Sequence, residues 1–79
     1  MATYGRIEIN PEVMLGKPVI SGTRVPVELL LRRLSEGASE EELLAAYPHL
    51  QREDIRAALA YAANEIALTE NLEPTASAS

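Results

Sequence analysis

The sequence predicts a mainly α fold: a three-helix bundle of helix-turn-helix type, preceded by a short N-terminal β strand and hairpin. Three observations predict it. Apolar side chains recur at helical spacing in residues 27–36 and again in residues 52–66. Ser39 and Glu42 form a Ser-x-x-Glu start signal for a helix between them. Gly37 and Pro48 punctuate the two junctions, so the connections are short and the three helices must pack on one another.

The elements follow in order. Residues 1–5 are expected to be a flexible terminus, and residues 6–68 a single domain. Arg6-Ile7-Glu8-Ile9 alternates polar and apolar and is stopped by Asn10-Pro11, which reads as a strand over residues 6–9. One strand alone is not stable in water, so it must pair within this chain or across a dimer. Val19-Ile20 and Arg24-Val25 flank Ser21-Gly22-Thr23, giving a small hairpin over residues 19–25 bounded by Pro18 and Pro26.

The first helix spans residues 27–36. Val27, Leu30, Leu31 and Leu34 make its apolar stripe, Glu28 and Arg32 sit one turn apart on its surface, and Gly37 closes it. The second helix, residues 39–46, buries Leu43, Leu44 and Tyr47 and ends before Pro48. Its three glutamates, residues 40–42, sit where free amides favour negative charge. The third helix, residues 52–66, is expected to turn Ile55, Leu59, Ala62 and Ile66 inward, with Tyr61 on a contact surface. Residues 69–79 form a disordered or partner-binding tail, in which Leu72 is the one large apolar side chain.

Composition narrows the function. The 79 residues make one domain. Without cysteine there is neither a disulfide nor a thiolate site. No apolar run is long enough to span a membrane, and residues 1–6 lack a signal-peptide pattern, so the expected compartment is the cytoplasm. The formal net charge of -5 means that any contact with nucleic acid must use basic residues gathered on one face.

Catalytic, cofactor and metal sites are not expected. Gly16-Lys17 lacks the glycine spacing of a phosphate loop, and Pro18 removes an amide. His49 is the only histidine and has neither a nucleophile nor a ligand set beside it. It reads instead as a helix cap or a partner contact. The consecutive glutamates of the second helix point in different directions and serve capping and solvation. Ser21, Thr23 and Arg24 bring donors together, either to knit their own turn or to meet a partner.

The spacing of the second and third helices matches a helix-turn-helix, with the third helix as the candidate reader of a groove. Gln51, Arg52 and Arg56 are its candidate DNA contacts, with Lys17 and Arg24 brought up from the N-terminal segment. Glu53 and Asp54 oppose phosphate. A module that contacts only protein fits the same pattern, with Tyr61, Leu68 and Leu72 as candidate partner contacts. A sensor of small molecules would need a concave apolar pocket, and few residues remain to line one.

The stretch Gly16-Lys17-Pro18-Val19-Ile20-Ser21-Gly22-Thr23-Arg24-Val25-Pro26-Val27 resembles the signature of the small bacterial and archaeal proteins grouped as domain of unknown function 433 (DUF433). Leu34-Ser35-Glu36-Gly37-Ala38-Ser39, Glu42-Leu43-Leu44, Tyr47-Pro48-His49-Leu50 and Asp54-Ile55-Arg56-Ala57-Ala58-Leu59-Ala60-Tyr61 continue the resemblance over residues 6–66. That family is similar to homeodomain-like and winged helix-turn-helix domains. The resemblance implies the antitoxin half of a type II toxin-antitoxin pair. Such a protein is a homodimer that binds double-stranded promoter DNA and covers a PIN-like ribonuclease toxin with its C-terminal segment. On this chain it implies DNA contact at residues 47–51 and 52–66, and toxin contact at residues 67–79.

Overall fold

A computed structural model of the chain describes residues 2–70. Three short strands form an antiparallel sheet in the order β1-β2-β3: Ala2–Tyr4, Ile7–Ile9 and Val19–Ile20. Three helices follow: α1 Val27–Ser35, α2 Glu40–Ala46 and α3 Arg52–Glu70. The architecture is a mainly α three-helix bundle preceded by a short β-hairpin.

The N-terminal strand finds its partners within the chain. Tyr4 pairs with Ile7 across a two-residue turn, and Gly5 at φ +64 supplies the positive φ that such tight hairpin turns use. Residues 1–5, expected to be flexible, therefore contribute a strand from Ala2 to Tyr4. The strand expected at residues 6–9 begins at Ile7, because Arg6 belongs to the turn. Ile7 also pairs with Ile20 on the other side. The alternation of Ile7 and Glu8 is what lets one face of β2 close on the core.

The expected hairpin over residues 19–25 is reduced to a tight loop with a single bridge, Val19 to Pro26. Thr23 knits it. Its hydroxyl donates to the Ile20 carbonyl at 2.7 Å and accepts from the Val25 amide at 3.0 Å. Before β3 lies a left-handed turn, Met14–Gly16, with φ of 51 at Met14 and 58 at Leu15. Nothing in the residue pattern announces it, since non-glycine residues rarely adopt positive φ.

Helix ends follow local chemistry. Glu36 caps α1, and the bonds from Gly37 to Leu34 and from Ala38 to Arg33 satisfy the last carbonyls, with Gly37 at φ +101. Ser39 and Glu42 form the reciprocal capping box of α2 at 3.1 and 2.8 Å. Ser39 is thus the cap, and the helix proper begins at Glu40. At α3 the Asp54 carboxylate accepts from the Gln51 amide at 2.9 Å.

The core is Ile7, Val19, Ile20, Val27, Leu30, Leu43, Leu50, Ile55 and Ala58. Leu50 plugs into it from the turn after α2. The packing of α3 differs from the expected stripe. Ile55 and Ala58 are fully buried, but Leu59 is 45% exposed and Ile66 56%. The inward face runs through positions 55, 58, 62, 65 and 69, which places Glu65 and Thr69 where a core would need apolar groups. Packing therefore stops at Ala62. Residues 63–69 stay helical but exposed, and the helix runs to Glu70, four residues past the expected end at residue 66. Tyr61, expected on a contact surface, is half-buried against the core. Leu72 lies outside the described residues, as does the tail beyond Glu70.

Asp54 is the one buried charged residue among the described residues. It accepts from Arg6 at 2.9 Å as well as capping α3, so it joins the β1-β2 turn to the helix.

Replacing Ile55 by Ala should cost about 2–5 kcal/mol in urea unfolding, whereas Ile66→Ala should stay within about 0.5 kcal/mol of the parent. Asp54→Ala removes a cap and a buried partner of Arg6 together. It should cost about 2–4 kcal/mol, while Glu53→Ala on the exposed side of the same turn should cost about 0.5 kcal/mol or less.

Candidate functional site

Among the described residues, the candidate contacts fall on the outer side of the α2–α3 corner, the projecting half of α3, and a groove at the turn between α2 and α3.

Gln51, Arg52 and Arg56 of the residues expected to meet DNA lie at or just after the α2–α3 corner, and most of the expected set is engaged internally. Arg52 donates to Glu40 at 2.6 Å and lies 3.6 Å from Glu41, so the acidic first turn of α2 holds it. The Gln51 side chain accepts from Arg6 at 3.3 Å. Lys17 lies 3.4 Å from Glu28 on α1. Arg32 also lies 3.6 Å from Glu28. Arg33 is hydrogen-bonded to Glu36 at 3.1 Å. That bond, the Glu36 charge and the Tyr47 hydroxyl raise its pKa above the ordinary arginine value. Of the seven basic residues, five thus sit in ion pairs. Only Arg24 and Arg56 are exposed without a salt bridge among the described residues, so they are the cations most available to a partner.

The projecting half of α3 carries two apolar edges. Leu59, Ala63 and Ile66 fall at i, i+4 and i+7 on one side, with Arg52 and Arg56 a turn or two earlier on the same side. Leu68, 74% exposed, lies on the opposite side, in line with Tyr61. The sequence pattern pointed to Leu68 as a contact. It missed Leu59 and Ile66, because their spacing from Ile55 matches that of core residues and nothing local says which way the helix is turned.

The groove has a volume of about 570 Å³ and lies between the 22–25 loop, β2 and the Ala46–Leu50 corner. Val13, Val25, Ala46 and Leu50 form apolar walls; Glu8, Arg24 and His49 line it as well. His49, expected as a cap or contact, makes no hydrogen bond to the end of α2; there the Leu43 carbonyl accepts from the Tyr47 amide, and the Tyr47 carbonyl accepts from the Leu50 amide. The concave pocket that the sequence seemed too short to build is present. Among the described residues no group of three or more His, Asp or Glu is placed to hold a metal ion, and no helix is long and apolar enough to cross a membrane.

The sheet-capped trihelical unit with a short α2–α3 corner defines a helix-turn-helix-like domain. Residues 7–62 match the model of the family described as "Protein of unknown function (DUF433)", and the chain belongs to that family. It is similar to "Uncharacterized protein y4eO" of Sinorhizobium fredii (strain NBRC 101917 / NGR234). The two are 43% identical over 53 residues, which is 67% of this chain and 24% of the relative. It is also similar to the crystal structure of a DUF433 member protein from Anabaena variabilis ATCC 29413. There the TM-score is 0.74 at 38% identity, covering 84% of this chain and 65% of the other. The chain thus spans about a quarter of the first relative and under two thirds of the second.

The Arg52–Glu40 pair is exposed on the arginine side, and surface pairs contribute little. A double-mutant cycle of Arg52→Ala and Glu40→Ala, read by urea unfolding, should return a coupling of about 0.2–1 kcal/mol.

Proposed function

We propose that this chain is an antitoxin-like protein of the cytoplasm. In this reading it acts as a homodimer, binds double-stranded promoter DNA through the α2–α3 corner, and covers a PIN-like ribonuclease with the outer half of α3 and the residues that follow. It binds macromolecules and carries out no reaction of its own, with no cofactor or metal. The observation that carries the reading is the projecting half of α3: residues 63–69 are helical yet exposed, and they display Ile66 and Leu68 on opposite sides. An isolated helical segment with apolar edges gains little from folding alone and gains most when a partner covers it. The Leu59–Ile66 side suits a second copy, since Ala63 between them allows close helix approach. The Leu68 side is left for the ribonuclease. Arg56 and Arg24 are the phosphate or base contacts in this reading, with Arg52, Gln51 and Lys17 joining after their present partners let go.

A protein-contact module that never meets DNA is the second reading. It is favoured by Arg52, the first basic residue of α3, being held by Glu40 and Glu41 in a chain of net charge -5.

Promoter binding measured across a salt series separates the two. The DNA reading expects affinity that falls steeply with salt, with a slope of about 0.9 per phosphate neutralised, weakened by Arg56→Ala. Glu40→Gln with Glu41→Gln should free Arg52 and strengthen binding. Absence of promoter binding at low salt by the parent and by this double variant, with the neighbouring gene's product present or not, removes the DNA half. For the partner half, Leu68→Glu should abolish capture of the ribonuclease while leaving urea stability unchanged. Unaltered capture would remove Leu68 from the interface.

A further inference from the structure

We propose that the groove at the α2–α3 corner is a binding site for a small aliphatic monocarboxylate: an apolar chain lying on Val13, Val25, Ala46 and Leu50, with its carboxylate on Arg24. The proposal does not rest on the macromolecular readings above, and in the DNA reading the carboxylate would compete with phosphate for Arg24.

Size and shape come first. The groove's 570 Å³ falls inside the range of about 300–1,000 Å³ typical of small-molecule sites, and its walls are mainly apolar with a few polar groups, which is how such sites are built. It is made by segments far apart in sequence: Val13 before the left-handed turn, Arg24 and Val25 in the loop before α1, and Ala46 to Leu50 at the corner. Two of these segments are fixed independently of any ligand. Thr23 ties the loop through bonds of 2.7 and 3.0 Å, and Leu50 is anchored in the core. A wall held in place before binding loses little entropy on binding.

The sign of the ligand's charge follows from which groups already have partners. Glu8 accepts a hydrogen bond from the Gly22 amide at 3.4 Å. Arg24 has no hydrogen bond or ion pair among the described residues, although five of the other six basic residues do have one. A guanidinium at the edge of an apolar groove is a ready partner for a carboxylate, which it can grip through two parallel hydrogen bonds. His49 adds a second polar group on the corner side. The rest of the wall is mainly apolar, with Glu8, Thr23 and Tyr47 as its other polar residues, so hydrocarbon suits most of the ligand's body. Because the corner that joins α2 to α3 forms one wall, an occupied groove sits directly against the helix-turn-helix.

Titration of the full chain with sodium octanoate, followed by methyl and amide NMR, tests the assignment, with octylamine and octanol as charge-reversed and neutral probes. Octanoate should give saturable shifts at Val13, Val25 and Leu50, and octylamine should bind at least about tenfold more weakly, as expected when one charge-assisted pair is lost. Arg24→Gln should weaken octanoate about tenfold and Glu8→Gln should strengthen it, since the two changes alter the local charge in opposite directions. Ala46→Trp, at an exposed position, should fill the groove and abolish the shifts with the rest of the spectrum preserved. Equal binding of octanoate and octylamine, an Arg24→Gln affinity equal to the parent's, or no saturable shift at the groove with millimolar octanoate would each overturn the proposal.

Discussion

The Asp54 carboxylate holds the two halves of this small domain together. One oxygen accepts from the Gln51 amide and starts α3; the other accepts from Arg6 in the turn between β1 and β2. Two jobs that usually need two residues are done by one buried side chain. Because the carboxylate is enclosed, leaving either oxygen unpartnered would be costly. Asp54 therefore ties the start of α3 to the sheet, beside the Arg6–Gln51 bond and the shared core. Ile7, Ile20, Ile55 and Leu30 of α1 belong to one buried cluster that packs the sheet against the helices. A sheet of strands only two or three residues long would not persist alone. Here it is one wall of a core.

This economy in charge shapes the outer surface too. Acidic residues at helix starts serve the exposed amides, and they also recruit nearby arginines. Glu40 and Glu41 stand at the beginning of α2, and the corner brings Arg52 back beside them. Glu28 similarly takes both Lys17 and Arg32. The pairs are mostly exposed, so each is weak and exchangeable. Their joint effect is a domain whose cations are largely spoken for until a stronger anionic partner competes. Arg24 and Arg56 stand apart, one at the groove and one on the outer side of α3.

α3 serves two purposes along its length. Its first turns present Ile55 and Ala58 to the core; two turns further on, Glu65 and Thr69 take the same direction and end the packing. The helix continues because alanine-rich sequence favours it. Its outer half is then a rod whose apolar edges serve no purpose within the monomer. A body this small has little interior to spare, so placing contact surface on a projecting helix leaves the core intact.

Much of the fold was legible in the sequence because local chemistry sets it. Ser39 and Glu42 specify a capping box, Gly37 a left-handed helix end, Pro48 a stop, and Glu28 with Arg32 a surface pair; each needs only residues within one turn. The trihelical arrangement followed from three apolar stripes and two short connections. Tertiary structure alone decided the rotation of α3, the partners of Arg6 and Arg52, and the groove. Leu59 and Ile66 share helical spacing with Ile55, and spacing fixes which residues share a face but not which face meets the core. That choice is made over long range, where Ile55 and Ala58 join the core and Asp54 bonds Arg6 from 48 positions away. The groove is equally invisible in one dimension, since Val13, Val25 and Leu50 become neighbours only after the strands and the corner have closed. Sequence thus determined the elements and their ends, through interactions spanning one helical turn. Long-range packing determined which surfaces stay open, because exposure is a property of the assembled fold.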